Sequence, residues 1–173
     1  SNIRRMKPWF LMLTIGQTEL AKHGFDSQYG IDQQLQQRAL SIGKEILQLE
    51  SFREQIELLS SDSMEVQELS LRATLEERVS LEEDLNVLIT AWQNGNADRM
   101  LELAVEATAH YPELNQQTHN LIDNRNLKMA NKIREYVAAS GTYLVVVGAL
   151  HMGGERGLVK LLSKDYSVKQ LRH

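Results

Sequence analysis

Apolar residues recur at helical spacing through most of the chain. "PWFLMLTIGQTEL" opens with Pro8, which suits a first helical turn. "KHGFDSQYGID" is punctuated by Gly24 and Gly30 and reads as a loop. Asp32 then stands as a candidate N-cap for "QQLQQRALSIGK", where Leu35, Ala39 and Ile42 share a face. Ser51 and Glu54 have the spacing of a capping box and predict another helix start. From Asp62 to Trp92 the text predicts one long helix, striped by Leu75, Val79, Leu85, Leu88, Ile89 and Trp92. "NGN" at 94–96 ends it. A helix through Met100, Leu101, Ala104 and Ala107 follows and stops before Pro112. Leu114, Leu121, Ile122, Met129, Ile133 and Val137 predict a second long helix from Pro112 to Ser140, closed by Gly141. A short helix is expected near 155–163.

Three stretches break the helical pattern. "EILQLE" (45–50) is short and alternating, and ends at Glu50. "TYLVVVG" (142–148) is apolar without alternation, as for a strand covered on both faces. "YSVKQL" (166–171) reads as a last strand. The expected class is therefore α/β: helix-rich, with a few strands at the two ends of the chain forming part of a small mixed sheet. So few strands make an incomplete sheet. An exposed edge on it would invite pairing with a second copy, so a homodimer is expected. With no linker, repeat or low-complexity tract, residues 1–173 read as a single domain.

Composition narrows the function. The formal charge is −4 with no basic stripe, which argues against binding to nucleic acid. No cysteine is present, so thiolate metal sites and a Cys nucleophile are excluded. No apolar run reaches membrane-spanning length. There is no G-x-S-x-G elbow, P-loop, dinucleotide fingerprint or H-E-x-x-H.

The chemistry that remains sits at the end of the 142–148 run. Sites in open α/β sheets lie beyond the carboxyl ends of such strands, where His151 falls. Gly148, Gly153 and Gly154 would let backbone approach a ligand closely. A neutral imidazole there could bind a metal or move a proton. It could equally be a bystander in a tight turn. Arg125 and Asn126, in "DNRN", offer a carboxylate-gripping fork and an amide, or else a solvated helix face. Glu50 could ligate or act as a base, or simply favour the helix start beside it. The other four histidines have no ligating context.

Taken in order, these pieces resemble the TraB/PrgY/GumN family. "YLVVVGALHMGGERGLVKLLSKDYSVKQL" is similar to its C-terminal signature of apolar strand, G-A-x-H, glycine turn, helix and final strand. "NRNLKMANKI", "YGIDQQLQQRALSIGKEILQLES" and "AWQNGNADRMLEL" resemble its R-N helix, its G-[IV]-D helix leading to L-E, and its W-x-x-G-[DN] segment. Met152 departs from the usual Leu, and Asp165 from the usual Gly. Family members carry two G-x-x-H motifs, whereas this sequence has one, at Gly148 to His151. The resemblance implies the C-terminal portion of a larger domain, with the N-terminal strands missing and no activity by itself. It also implies a metal-dependent, peptidase-like hydrolase of the bacterial envelope or periplasm, using Mn, Co or Zn. His151 and Glu50 would be metal ligands, Arg125 and Asn126 their catalytic neighbours, and Asp32 a less secure member. The substrate would be a peptide or another small polar molecule. The alternatives are a peptide-sequestering protein without turnover and an accessory protein of envelope polysaccharide.

Overall fold

Two local signals, Pro8 and the Ser51–Glu54 box, start helices where the sequence puts them. A computed structural model describes residues 2–77, 81–114, 117–118 and 120–171. Helix α1 (Pro8–Lys22) begins on its proline, and α2 spans Ile31–Ser41. Helix α3 (Phe52–Ser60) starts at the expected capping box: Glu54 N–H donates to Ser51 Oγ at 3.2 Å, and Ser51 N–H to Glu54 Oε2 at 2.7 Å. Then come α4 (Met64–Glu77), α5 (Leu81–Gln93) and α6 (Ala97–Ala107), the last capped by Asn96 Oδ1. A π-helical turn (Asn120–Asn124) leads into α7 (Arg125–Ala138), and α8 spans Leu158–Ser163.

Two details differ from the sequence reading, and a third falls partly outside the described residues. Asp32 is not an N-cap. Gly30 caps α2, because its carbonyl already accepts from Gln34 N–H at 3.1 Å, which leaves Asp32 inside the first turn. Its carboxylate still suits the positive end of the helix. The helix expected over 62–92 is described as α4 and α5; residues 78–80, with Val79 of the expected stripe, lie outside the described residues. The helix expected from Pro112 is a 3-10 turn, a π turn and α7.

The α/β expectation fails outright. Among the described residues there is no strand, so no mixed sheet forms. Segments 44–48, 142–148 and 167–171 take up no regular secondary structure among the described residues. The backbone of 142–147 makes no hydrogen bond among the described residues. β-branched side chains bias a chain toward extended geometry, but a strand also needs a neighbouring backbone to complete its ladder. Nor is the run covered on both faces: Leu144 is 76% exposed, and Tyr143, Val145 and Val146 are exposed as well.

The best-formed core lies between α7 and α8. Met129, Ala130 and Ile133 at helical spacing meet Leu158 and Leu161. Ala130 is wholly buried, so α8 packs close to the α7 backbone there. Leu49 and Val147 pack against this cluster, so the two irregular segments are anchored at the ends that lead to Glu50 and His151. Elsewhere α1 packs on α4 and α5 on α6. The accessible surface is 12639 Å². A compact monomer of this mass exposes about 8,600 Å². The arrangement is open, and no helix among the described residues is long and apolar enough to cross a membrane.

Candidate functional site

His151 ends a 3-10 turn (Ala149–His151) that begins at Gly148. Its own N–H donates back to the Gly148 carbonyl at 2.9 Å, which turns the chain as soon as the apolar run stops. The glycines beyond it are required by packing. A Cβ on Gly153 would lie 2.3 Å from the Ala97 carbonyl oxygen, and one on Gly157 would lie 2.2 Å from the Gly153 carbonyl oxygen. Gly154 has a φ of +78°, and its N–H donates to Asp98 Oδ1 at 2.7 Å. Gly148 is roomier, with His151 Cδ2 at 3.7 Å from its ideal Cβ.

The turn buries His151 against α7. Its Nδ1 lies 2.7 Å from Asn126 Oδ1. Asn126 is fully buried, and its Nδ2 donates to the Arg156 carbonyl at 2.9 Å. That bond fixes which end of the amide faces the ring. A carbonyl oxygen only accepts, so His151 Nδ1 carries the proton and Nε2 keeps its lone pair. Nε2 has no hydrogen-bond partner among the described residues. Burial holds the His151 pKa below its ordinary value of 6.5, the positive charge of Arg125 lowers it further, and Glu50 partly offsets them. The ring is therefore neutral at neutral pH.

Arg125 and Glu50 form a partly buried, bidentate pair. Arg125 Nε donates to both carboxylate oxygens at 3.0 and 3.1 Å, and its terminal nitrogen donates to Oε2 at 2.6 Å. The other terminal nitrogen donates to the Leu121 carbonyl in the π turn, at 3.1 Å. Insertions of this kind often mark functional positions. Adjacent residues of α7 thus do different work: Asn126 orients the imidazole, and Arg125 ties the end of segment 44–50 to the helix.

The structure brings together four of the expected residues: His151 with Asn126, and Arg125 with Glu50, both pairs acting on one imidazole. Asp32 lies on α2, and nothing described joins it to them. Two participants escaped the sequence. Asp98 looks like any acidic residue in a first helical turn, and nothing local ties it to Gly154, 56 positions away. Arg156 takes part through its carbonyl, which leaves no trace in a side-chain pattern; its guanidinium lies 3.6 Å from Asp123.

A metal was expected here, and the donor set can be judged directly. His151 offers one free nitrogen. Both Glu50 oxygens already accept from Arg125, so the carboxylate is committed to that pair and a metal would have to share it. Among the described residues no group of three or more His, Asp or Glu is placed to hold an ion. These residues do not fit a divalent metal by themselves.

Comparison with known proteins adds ancestry. The TraB/PrgY/gumN family matches residues 1–170. Curated relatives named "Uncharacterized protein YbaP", from Escherichia coli K12 and Shigella flexneri, are each 29% identical over 165 residues. The alignment covers 89% of this chain and 55% of each relative, so the chain spans about half the length of the curated relatives it matches. No solved structure matches.

Proposed function

The chain belongs to the TraB/PrgY/gumN family, and from that premise we propose that it contributes the proton-transfer histidine of a hydrolase. The observation that carries this is the 2.7 Å contact between His151 Nδ1 and Asn126 Oδ1. A neutral imidazole with its tautomer fixed by a buried amide presents Nε2 as a base. In that role Nε2 takes a proton from water as the oxygen attacks a carbonyl carbon, and the proton then passes to the leaving group. Asn126 Oδ1 holds the Nδ1–H throughout, and Glu50 offsets part of the charge formed on the ring. N–H groups of Arg125 not committed to Glu50 or Leu121 would face developing negative charge. The substrate in this reading is a peptide or another small polar molecule, met in the bacterial envelope. Dependence on a divalent metal would require donors beyond the described residues, with His151 as one ligand.

A second reading has its own support. The backbone of 142–147 finds no hydrogen-bond partner among the described residues and runs along an apolar stretch, which suits strand addition by a bound peptide. That describes sequestration without turnover. Mass spectrometry of peptide mixtures incubated with the protein separates the two. Cleavage products that disappear in His151→Ala support the hydrolase. Binding without products, surviving chelation and His151→Ala alike, would replace it with the sequestering reading.

A further inference from the structure

The segment "QNGNAD", residues 93–98, is absorbed by neither reading, yet it reaches the candidate site. Gly95 ends the α5 turn with a φ of +63°, and its carbonyl accepts from Gln170 Nε2 at 2.9 Å. Asn96 caps α6. The first turn of α6 then lies directly against the glycine turn after His151. The Ala97 carbonyl occupies the space a Gly153 side chain would need, Leu101 does the same at Gly154, and Asp98 Oδ1 accepts from Gly154 N–H at 2.7 Å. A carboxylate accepting from a backbone N–H is a charge-assisted bond, stronger than a neutral one. On its other side the same loop is held by Asn126, which bonds both the imidazole and the Arg156 carbonyl.

We propose that Asp98 is a positioning residue for His151: by fixing Gly154 N–H it clamps the glycine turn onto α6 and aims the imidazole at Asn126. The plainer role for Asp98 is its charge alone, favourable in the first turn of any helix. The two roles demand different atoms. The clamp needs an oxygen acceptor at this reach; charge strengthens the bond, but a neutral amide oxygen still makes it. The dipole needs charge and tolerates a longer side chain.

The inference rests on His151 being the acting group, but its test reads the ring and not turnover. Failure to find hydrolysis would leave the clamp standing, and failure of the clamp would leave hydrolysis untouched. Two-bond proton–nitrogen spectra of histidine-labelled protein, assigned with His151→Gln, report tautomer and pKa together. In Asp98→Ala the fixed Nδ1–H pattern should be lost, giving a mixture of the two tautomers. Asp98→Asn should keep the wild-type pattern, and Asp98→Glu should lose it. Should Asp98→Ala fail to fold, Asp98→Ser, whose hydroxyl suits a helix start but falls short of Gly154, is read in its place. A wild-type pattern in the Ala or Ser variant overturns the clamp, as does retention in Asp98→Glu with loss in Asp98→Asn.

Discussion

Asn126→Ala probes the centre of the site. The side chain is fully buried and makes two hydrogen bonds, at 2.7 Å with His151 and 2.9 Å with the Arg156 carbonyl. Truncation leaves a ring N–H and a carbonyl without partners. Each unsatisfied buried group costs about 1–3 kcal/mol, and water entering the gap recovers part of it, so a net loss of about 2–4 kcal/mol is expected. The measurement is urea unfolding at pH 7.5 of wild type, Asn126→Ala, His151→Ala and the double variant. Because the two residues touch, the double variant should be more stable than additivity predicts, with a coupling of about 0.5–3 kcal/mol. Strict additivity, or a loss below about 1 kcal/mol for Asn126→Ala, would refute the claim that this amide holds the imidazole.

Four further outcomes are expected. The folded-state pKa of His151 is depressed, so the unfolded chain binds more protons below 6.5. Stability should fall as pH drops from 6.5 through the folded value, and His151→Gln should flatten that limb of a pH-dependent urea series. Gly153→Ala drives a Cβ onto the Ala97 carbonyl and should cost about 2–3 kcal/mol or more, as overpacking against fixed backbone does. Gly16→Ala, in α1 with nothing within 4 Å, should instead stabilise by about 0.5–1 kcal/mol, and thermal melts of the pair would expose any error of sign. Glu50→Ala strands the partly buried Arg125 guanidinium and should cost about 1–3 kcal/mol, discounted from a fully buried pair because both side chains retain some exposure. If a double-mutant cycle with Arg125→Ala shows no coupling, the pair is ornamental.

Local chemistry was legible in the sequence. Pro8 and the Ser51–Glu54 box start helices where the text says, because proline's fixed φ suits a first turn and a capping box is satisfied within four residues. Met129 and Ile133 fell on the buried face of α7, because helical spacing fixes which side chains share a side. His151, Asn126, Arg125 and Glu50 could be named as candidates, but their pairing could not. Glu50 looked free to ligate and instead grips an arginine 75 residues away, and Asn126 looked like a helix-face amide and instead sets a tautomer 25 residues away. The strands were the clearest failure. "TYLVVVG" carried a bias toward extended geometry, through crowding at its β-branched residues. Whether an extended segment becomes a strand depends on a second backbone at ladder distance, and only the tertiary structure decides that. The same division holds for Gly153 and Asp98: their conformational tolerance and charge belong to the sequence, but their contact exists only because α6 is packed against the histidine turn.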